Sequence, residues 1–127
     1  MKTKLRKIVV DQIEYLYSVT DQFHSGTETN TLTVKIFLSG EKHTPLIIDF
    51  LTVDDYLMGQ LLNSGIFLMN TITNSIERVN INEPKYIQKF ILKGREKGWN
   101  GGNRMEKQNG LDYLAELGYE IDSLKPK

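Results

Sequence analysis

The sequence contains no cysteine, and its apolar runs are short. Without cysteine, neither a disulfide-stapled scaffold nor a zinc site built from thiolates can form. Ile8–Val10 and Leu46–Ile48 are typical of the apolar runs, whereas a membrane-spanning helix needs about 20 mostly apolar residues. The basic stretch Met1–Lys7 is followed by too short an apolar segment for a secretion signal, which requires about 7–15 such residues. We therefore expect a soluble, cytoplasmic protein that does not enter a membrane.

An excess of charge of one sign is also missing. The 127 residues carry 16 Lys plus Arg against 16 Asp plus Glu, so the formal net charge is zero. Charged residues make up 25% of the chain and hydrophobic residues 39%, which is ordinary for a globular domain and excludes collagen-like and disordered chains. Because domains commonly hold about 100–200 residues, we expect a single domain over residues 1–127.

Few residues are suited to catalysis or to metal binding. The two histidines, His24 and His43, are expected in exposed turns at opposite ends of the strand 31–38, roughly 25 Å apart at about 3.3 Å per residue. They cannot share a metal ion at that distance, and no GxSxG motif is present. Asp54 and Asp55 are placed in the first turn of a helix, where adjacent side chains diverge and form no acid–base pair. The sequence thus predicts no metal and no cofactor, and it argues against an enzyme without excluding one.

Apolar and polar residues alternate through the first half of the chain, which predicts half-buried strands of an antiparallel sheet. We predict strands around 8–10, 13–20, 31–38 and 46–50. The residues expected on the inner face are Ile13, Tyr15, Tyr17, Val19, Leu32, Val34, Ile36, Leu38, Leu46, Ile48 and Phe50. Asp11–Gln12 is predicted to be a tight turn between the first two strands, and the polar segment Asp21–Asn30 a loop.

Helical spacing begins after the fourth strand. Thr52 and Asp55 have the spacing of a capping box, so we predict a helix over Val53–Leu62. Two further strands, 66–72 and 76–81, are predicted to pair through a turn at residues 73–75.

The clearest helix is predicted from Pro84 to Lys97, with Gly98 just beyond its end. Its inward stripe is Ile87, Phe90, Ile91 and Gly94. A last short helix is predicted over Leu111–Leu117, capped by Asn109 and ended by Gly118, with Leu111, Leu114 and Ala115 facing inward. The predicted fold is therefore α+β: an antiparallel sheet of about five or six strands, one main helix packed on one face, and two short flanking helices.

Basic residues are concentrated around the predicted main helix. Lys85, Lys89, Lys93 and Lys97 recur every four residues, which predicts one solvated row. Residues 85–107 contain seven basic and two acidic residues, a balance of +5. This balance predicts a protein partner with an acidic face, and the binding residues would be Lys85, Lys89, Lys93, Arg95, Lys97 and Arg104. Nucleic acid is disfavoured, because the pI of about 6.7 lies far below the value above about 9 typical of nucleic-acid-binding domains.

The glycine-containing segment Gly98–Asn103 is not expected to bind phosphate. It matches neither GxGxxG nor GxxxxGK[ST], and it follows a helix C-terminus, which carries partial negative charge. Trp99, the only tryptophan, is expected to fill the edge of the core.

Two functions follow as hypotheses. The first is a non-catalytic, cytoplasmic protein-interaction module, such as a small bacterial immunity or antitoxin-like protein that binds one partner. The alternative is a small-molecule-binding or enzymatic α+β domain, whose pocket would lie between the sheet and the predicted Val53–Leu62 helix. The residues assigned to that pocket are Tyr15, Tyr17, Asp49 and Tyr56. The sequence leaves the oligomeric state open.

Overall fold

The structure is a computed structural model that describes residues 5–126. In chain order the elements are β1 (Arg6–Val10), β2 (Ile13–His24), β3 (Thr29–Leu38), β4 (Leu46–Asp55), β5 (Gly59–Gln60), α1 (Leu61–Ser64), β6 (Ile66–Asn70), β7 (Ser75–Val79), α2 (Pro84–Glu96), β8 (Gln108–Asn109) and α3 (Gly110–Glu116). Over these residues the fold is α+β, with a mostly antiparallel sheet and three helices, the longest of 13 residues. The predicted fold class is confirmed at this level. None of the helices in 5–126 combines the length and apolar character needed to cross a membrane.

Two sheets are present where one was predicted. The strands β1 to β5 lie side by side in chain order, and β8 adds a short parallel partner to β4. The predicted strands in the region 66–81 exist as β6 and β7, but they pair with each other in a separate two-stranded sheet, to which Tyr119 adds one antiparallel bridge at Asn70. The short helix α1 follows β5 directly and separates β6 from the larger sheet in the chain.

The first two hairpins, β1–β2 and β2–β3, differ in how well the sequence predicted their turns. Val10 pairs with Ile13 across a two-residue turn, in which Asp11 and Gln12 both have positive φ, so the predicted tight turn is confirmed. The predicted loop over Asp21–Asn30 is wrong. Strand pairing continues from Tyr15 opposite Leu38 to His24 opposite Thr29. Polar residues are tolerated in these strands because the neighbouring strand satisfies the hydrogen bonds of their backbone groups.

The predicted helix over Val53–Leu62 is also wrong. Strand β4 continues to Asp55, a turn follows at 56–58, and the helical part is limited to the four residues of α1. Asp55 does bond backbone N–H groups, but those of the turn residues Leu57 and Met58 rather than a helix N-terminus. Asp is as effective in such turns as at a helix start, so the capping-box spacing was ambiguous.

The buried core draws apolar residues from the large sheet and from α2. The inward residues of β3 and β4 are almost fully buried, whereas Ile13, which borders the first turn, is exposed. The rings of Phe50 on β4 and Phe90 on α2 are 5.4 Å apart. A methyl group on Gly94 would come within 2.5 Å of Leu46 Cδ2, so this glycine allows α2 to approach the sheet closely.

Both longer helices end as the glycine positions predicted. After α2, Gly98 has φ +111 and donates to Arg95 O, while Trp99 N donates to Gly94 O. This pair of hydrogen bonds is the Schellman motif. It places the buried Trp99 where its Nε1 donates to Thr44 O at 3.0 Å. The helix α3 repeats the pattern through Gly118, Tyr119 and the carbonyl groups of Ala115 and Leu114. Asn109 accepts from Leu111 N as predicted, and Leu111 and Leu114 are buried as predicted. Ala115, however, is exposed, and Tyr113 is buried.

Candidate functional site

The four lysines of the predicted basic row do lie along α2 and its end, but internal partners engage all of them. Lys85 pairs with Glu83 at 4.0 Å, and Lys97 pairs with Glu116 at 2.9 Å. Lys89 Nζ donates to the hydroxyl of Tyr119 at 3.2 Å. Lys93 lies 3.6 Å from both Glu96 and Glu116, with only 13% of its side chain exposed. The expectation of one solvated row is therefore wrong for the two middle lysines, Lys89 and Lys93, which are half-buried.

The two arginines of the predicted basic face differ from each other. Arg95 forms an ion pair at 3.0 Å with Asp11, in the turn between β1 and β2. Arg104 is exposed in the segment between α2 and β8, and within residues 5–126 it has no ion pair. The hydrogen bond and charge of Lys97 hold the pKa of Glu116 below its ordinary value, which keeps that carboxylate ionised beside the lysines.

A polar cluster beside this row joins β7, α2 and the segment after α3. The hydroxyls of Tyr86 and Tyr119 both donate to Glu77 Oε2, the latter at 2.7 Å, and Lys89 lies over both rings. Burial raises the pKa of Glu77, but the two hydroxyl donors and the charge of Lys89 outweigh it, so the pKa is lowered overall. Burial and the bond to Glu77 raise the pKa of Tyr119 to about 12.

Near neutral pH this cluster is therefore one ionised carboxylate with two protonated tyrosines. None of its pKa values is moved toward 7, where a general acid or base works best. The arrangement holds the β6–β7 hairpin against α2, and its chemistry is that of a structural hydrogen-bond network.

The residues assigned to the alternative pocket are not brought together. Tyr15 and Tyr17 are buried in the core, at 3% and 2% exposure. Asp49 lies on the outer face of the sheet, where it accepts a hydrogen bond from Thr33 Oγ1 at 2.8 Å. Tyr56 is in the turn between β4 and β5. Because the Val53–Leu62 helix does not form, there is no cleft of the predicted kind between it and the sheet in residues 5–126.

One of the two histidines, His24, does not lie in an exposed turn as expected. His43 is exposed in a loop, as expected, but His24 ends strand β2 and is half-buried, with Nε2 2.7 Å from Thr31 Oγ1. Strand register places the two histidines at opposite ends of β3. In the part of the chain that the structure describes, no three His, Cys, Asp or Glu side chains are grouped as metal ligands.

The most exposed apolar feature of the molecule is the turn 56–58, which we call the apolar turn. Tyr56 is 98% exposed, Leu57 87% and Met58 46%. Sequence reasoning assigned these residues to a helix, because Val53, Tyr56, Leu57 and Leu61 have helical spacing. The run of three large apolar residues next to Gly59 was the signal that could have indicated a hairpin turn instead.

The apolar turn is held rigidly from both sides. Asp55 Oδ1 accepts from the backbone N–H groups of Leu57 and Met58, both at 2.9 Å. Ser64 Oγ donates to Met58 O at 2.7 Å and ties the turn to α1. The strands close beneath it through the pairs Asp54–Gln60 and Asp55–Gly59.

A buried polar layer supports this end of the sheet. Gln60 is 3% exposed, and its Nε2 donates to Thr52 Oγ1 and to Asn30 O, while its Oε1 accepts from Leu62 N. Asn30 Nδ2 donates to Asp54 Oδ1 at 3.2 Å. A hydrogen-bonded layer of this kind fixes the direction in which the hairpin leaves the sheet.

Three carboxylates flank the apolar turn. Asp54 and Asp55 precede it directly, and the backbone of Glu28 lies beside Asp54, because its carbonyl oxygen accepts from Asp54 N at 3.0 Å. None of the three lies within 4.0 Å of a lysine or arginine nitrogen in residues 5–126, in contrast to Glu83, Glu96 and Glu116 around α2. We refer to Glu28, Asp54 and Asp55 as the acidic rim.

Two other surfaces are available. The outer face of the β6–β7 hairpin exposes Phe67 at 69% and Ile76 at 66%, with Ile72 at its turn. On the outer face of the large sheet, beside β8, is an open depression of about 360 Å³. Its lining residues are Thr31, Asp49, Leu51, Lys107, Gln108 and Asn109.

Comparisons with known proteins assign none of these surfaces, since no protein family, no curated protein and no solved structure matches this chain.

Proposed function

We propose that this chain is a non-catalytic protein-interaction module that binds one protein partner through the apolar turn. The observation that carries the proposal is the exposure of Tyr56, Leu57 and Met58 on a turn whose backbone is fixed by Asp55 and Ser64. Tyrosine and methionine are enriched at protein interfaces, and tyrosine is a frequent binding hot spot.

The hydrogen bonds that order the turn also favour binding. A loop that is already ordered loses little conformational entropy when a partner covers it, so more of the contact energy becomes affinity. Burying one large apolar side chain contributes about 1.5–3 kcal/mol. Tyr56 and Leu57 gain none of this stabilisation in the free chain, so a partner that covers them would add it to the binding free energy.

The proposed module need not carry out chemistry, and the titrating groups support that view. Glu77 has a lowered pKa and Tyr119 a pKa raised to about 12, and both are engaged in the cluster that positions β6–β7. A small bacterial immunity or antitoxin-like protein, which acts by occupying its partner, is the type of module that fits these features. The cytoplasmic location expected from the sequence stays a prediction.

We also infer that α2 is the main helix covering the inner face of the sheet, as the sequence predicts. The Phe50–Phe90 contact and the close approach of Gly94 to Leu46 support this. In this arrangement α2 is a structural element, and its lysines are largely offset by carboxylates. The predicted basic face is thereby a weaker candidate for binding than the apolar turn.

Photo-cross-linking tests the proposed function. Tyr56 is replaced by p-benzoylphenylalanine in cells that produce this chain, and Ile72, 71% exposed on another turn, is replaced in the same way as a matched control. We expect one protein adduct from position 56, lost when Leu57→Ser is added, and none from position 72. Absence of an adduct at position 56, or equal adducts at both positions, would contradict the proposal.

A small-molecule site is the second candidate, and the depression beside β8 is the observation that favours it. Its volume of about 360 Å³ falls within the range of roughly 300–1,000 Å³ common for ligand sites, and Asp49 and Lys107 supply charges of both signs. Thermal denaturation with a panel of polar metabolites tests it. A stabilising compound whose effect is lost in Asp49→Asn would support this candidate, and an unshifted panel would count against it.

A further inference from the structure

We infer that the partner of the apolar turn is a protein with an apolar cleft bordered by lysine and arginine residues. This inference rests on the proposed function, because it specifies the chemistry of the surface that the turn would enter. The observation behind it is the acidic rim, Glu28, Asp54 and Asp55, around a turn that is itself uncharged.

The carboxylates of the acidic rim form no ion pair with a lysine or arginine within residues 5–126. Glu28 is exposed, while Asp54 and Asp55 are half-buried. Asp54 and Asp55 accept hydrogen bonds from an amide side chain and from backbone N–H groups, which orient the carboxylates without cancelling their charge.

Two cations on neighbouring segments contact other groups. Arg78 donates to Ser64 O at 2.8 Å, and Lys125 pairs with Asp122 at 3.7 Å. The contrast with α2 is informative, because there Lys85, Lys93 and Lys97 each lie within 4.0 Å of a carboxylate. Uncompensated charge around an exposed apolar centre is the pattern that a partner of opposite charge would complete.

A lipid surface fits this arrangement less well than a protein does. Tyr56, Leu57 and Met58 could enter the interfacial region of a bilayer, but the cytoplasmic leaflet carries negative surface potential. Three carboxylates beside the turn would be repelled by that surface. A protein cleft with a basic border satisfies both the apolar side chains and the acidic rim.

The test uses the position-56 cross-linking variant of the full chain, with p-benzoylphenylalanine as the probe. The acidic rim is neutralised by Glu28→Gln with Asp55→Asn, since asparagine keeps the acceptor for Leu57 N and Met58 N. The matched control is Glu41→Gln with Glu106→Gln, which changes the net charge equally at exposed positions outside the acidic rim. Adduct yield is measured at low and high NaCl, and the cross-linked peptide is sequenced.

We expect neutralisation of the acidic rim to lower the initial rate of adduct formation at low salt by about three-fold or more, with no change in the control. High salt should remove the difference, because it screens charges separated by more than a few Å. The partner peptide should lie next to lysine or arginine. Equal rates in all variants would overturn the basic border while leaving apolar binding intact. A lipid adduct or a second copy of this chain would overturn the inference as well, whereas no adduct at position 56 would refute the proposed function itself.

Discussion

Asp55 Oδ1 accepts from the backbone N–H of Leu57 at 2.9 Å, and this bond constrains the backbone of the turn that exposes Tyr56 and Leu57. The same oxygen accepts from Met58 N. A residue that the sequence places in a helical capping box therefore stabilises a turn, and the position of the candidate binding surface depends on it.

Removing this carboxylate should loosen the turn without unfolding the protein. In Asp55→Ala, two hydrogen bonds to a charged acceptor are lost, which costs about 1–3 kcal/mol locally. Hydrogen exchange at the amides of Leu57 and Met58 should accelerate by about ten-fold or more. Asp55→Asn keeps the acceptor and should exchange as the native chain does. If both variants behaved alike, the turn would not be held by this side chain.

Truncation of Phe90 should destabilise the whole domain. Its ring is fully buried between Phe50 and Tyr113, so Phe90→Ala should lower the free energy of unfolding by about 3–5 kcal/mol. Gln88→Ala, an exposed position on the same helix, should change it by less than about 0.5 kcal/mol. Urea denaturation measures both, and equally mild effects would show that α2 does not cover the core.

The cluster around Glu77 should make stability depend on acid. Because the pKa of Glu77 is lower in the folded chain than its ordinary value of 4.5, its contribution is present above about pH 4.5 and is lost as the pH falls through the folded-state pKa. We expect the free energy of unfolding, measured by urea denaturation, to fall less between pH 7 and pH 3 in Glu77→Gln than in the native chain. The control Glu41→Gln should show the same pH dependence of stability as the native chain. If Glu77→Gln lost as much stability in acid as the native chain does, Glu77 would not be the cause of the acid dependence.

The alkaline side provides an independent check of the same cluster. The pKa of Tyr119 is about 12 when folded against 10.0 ordinarily, so the protonated hydroxyl stabilises the chain below pH 10, and this contribution is lost as the pH approaches 12. Tyr119→Phe should be less stable at pH 8 and should lose less stability between pH 9 and pH 11. Identical slopes would show that the hydroxyl does not titrate in this way.

Charge reversal of two exposed cations distinguishes the predicted basic face from the apolar turn as the binding surface. Lys85 and Arg104 are exposed, so Lys85→Glu with Arg104→Glu should leave the free energy of unfolding within about 0.5 kcal/mol per substitution. Cross-linking from position 56 should proceed at the native rate if the apolar turn is the contact. A slower, salt-dependent reaction would restore the hypothesis of an acidic partner.

Periodicity identified the parts of the fold that local chemistry controls. Helix α2 begins at the predicted Pro84 and ends one residue before the predicted end, because proline favours the first turn and glycine the position after the last. The alternation of Leu32, Val34 and Ile36 predicted the buried face of β3 correctly. The Asp11–Gln12 turn also followed from the short separation of two alternating runs.

Almost none of the candidate site could be predicted from the sequence. Tyr56 was named, but for a pocket with Tyr15 and Tyr17, which share the alternating pattern and are buried in the core instead. The basic row was predicted by its spacing, yet its partner Glu116 belongs to α3, far along the chain. Ion pairs between distant segments leave no local pattern by which they could be predicted.

The sequence by itself therefore determined the α+β class, the 13-residue helix with its glycine end, and the alternating buried residues of the strands, since these depend on propensities and spacing within a few residues. Only the tertiary structure decided that residues 53–58 continue a strand and turn outward. The pairing of Asp54 with Gln60 and the buried bonds of Gln60 to Thr52 and Asn30 favour the hairpin over the helix that local spacing permits. Those partners come from three separate segments, and their combined hydrogen bonds outweigh a helix preference of only a few tenths of a kcal/mol per residue, roughly.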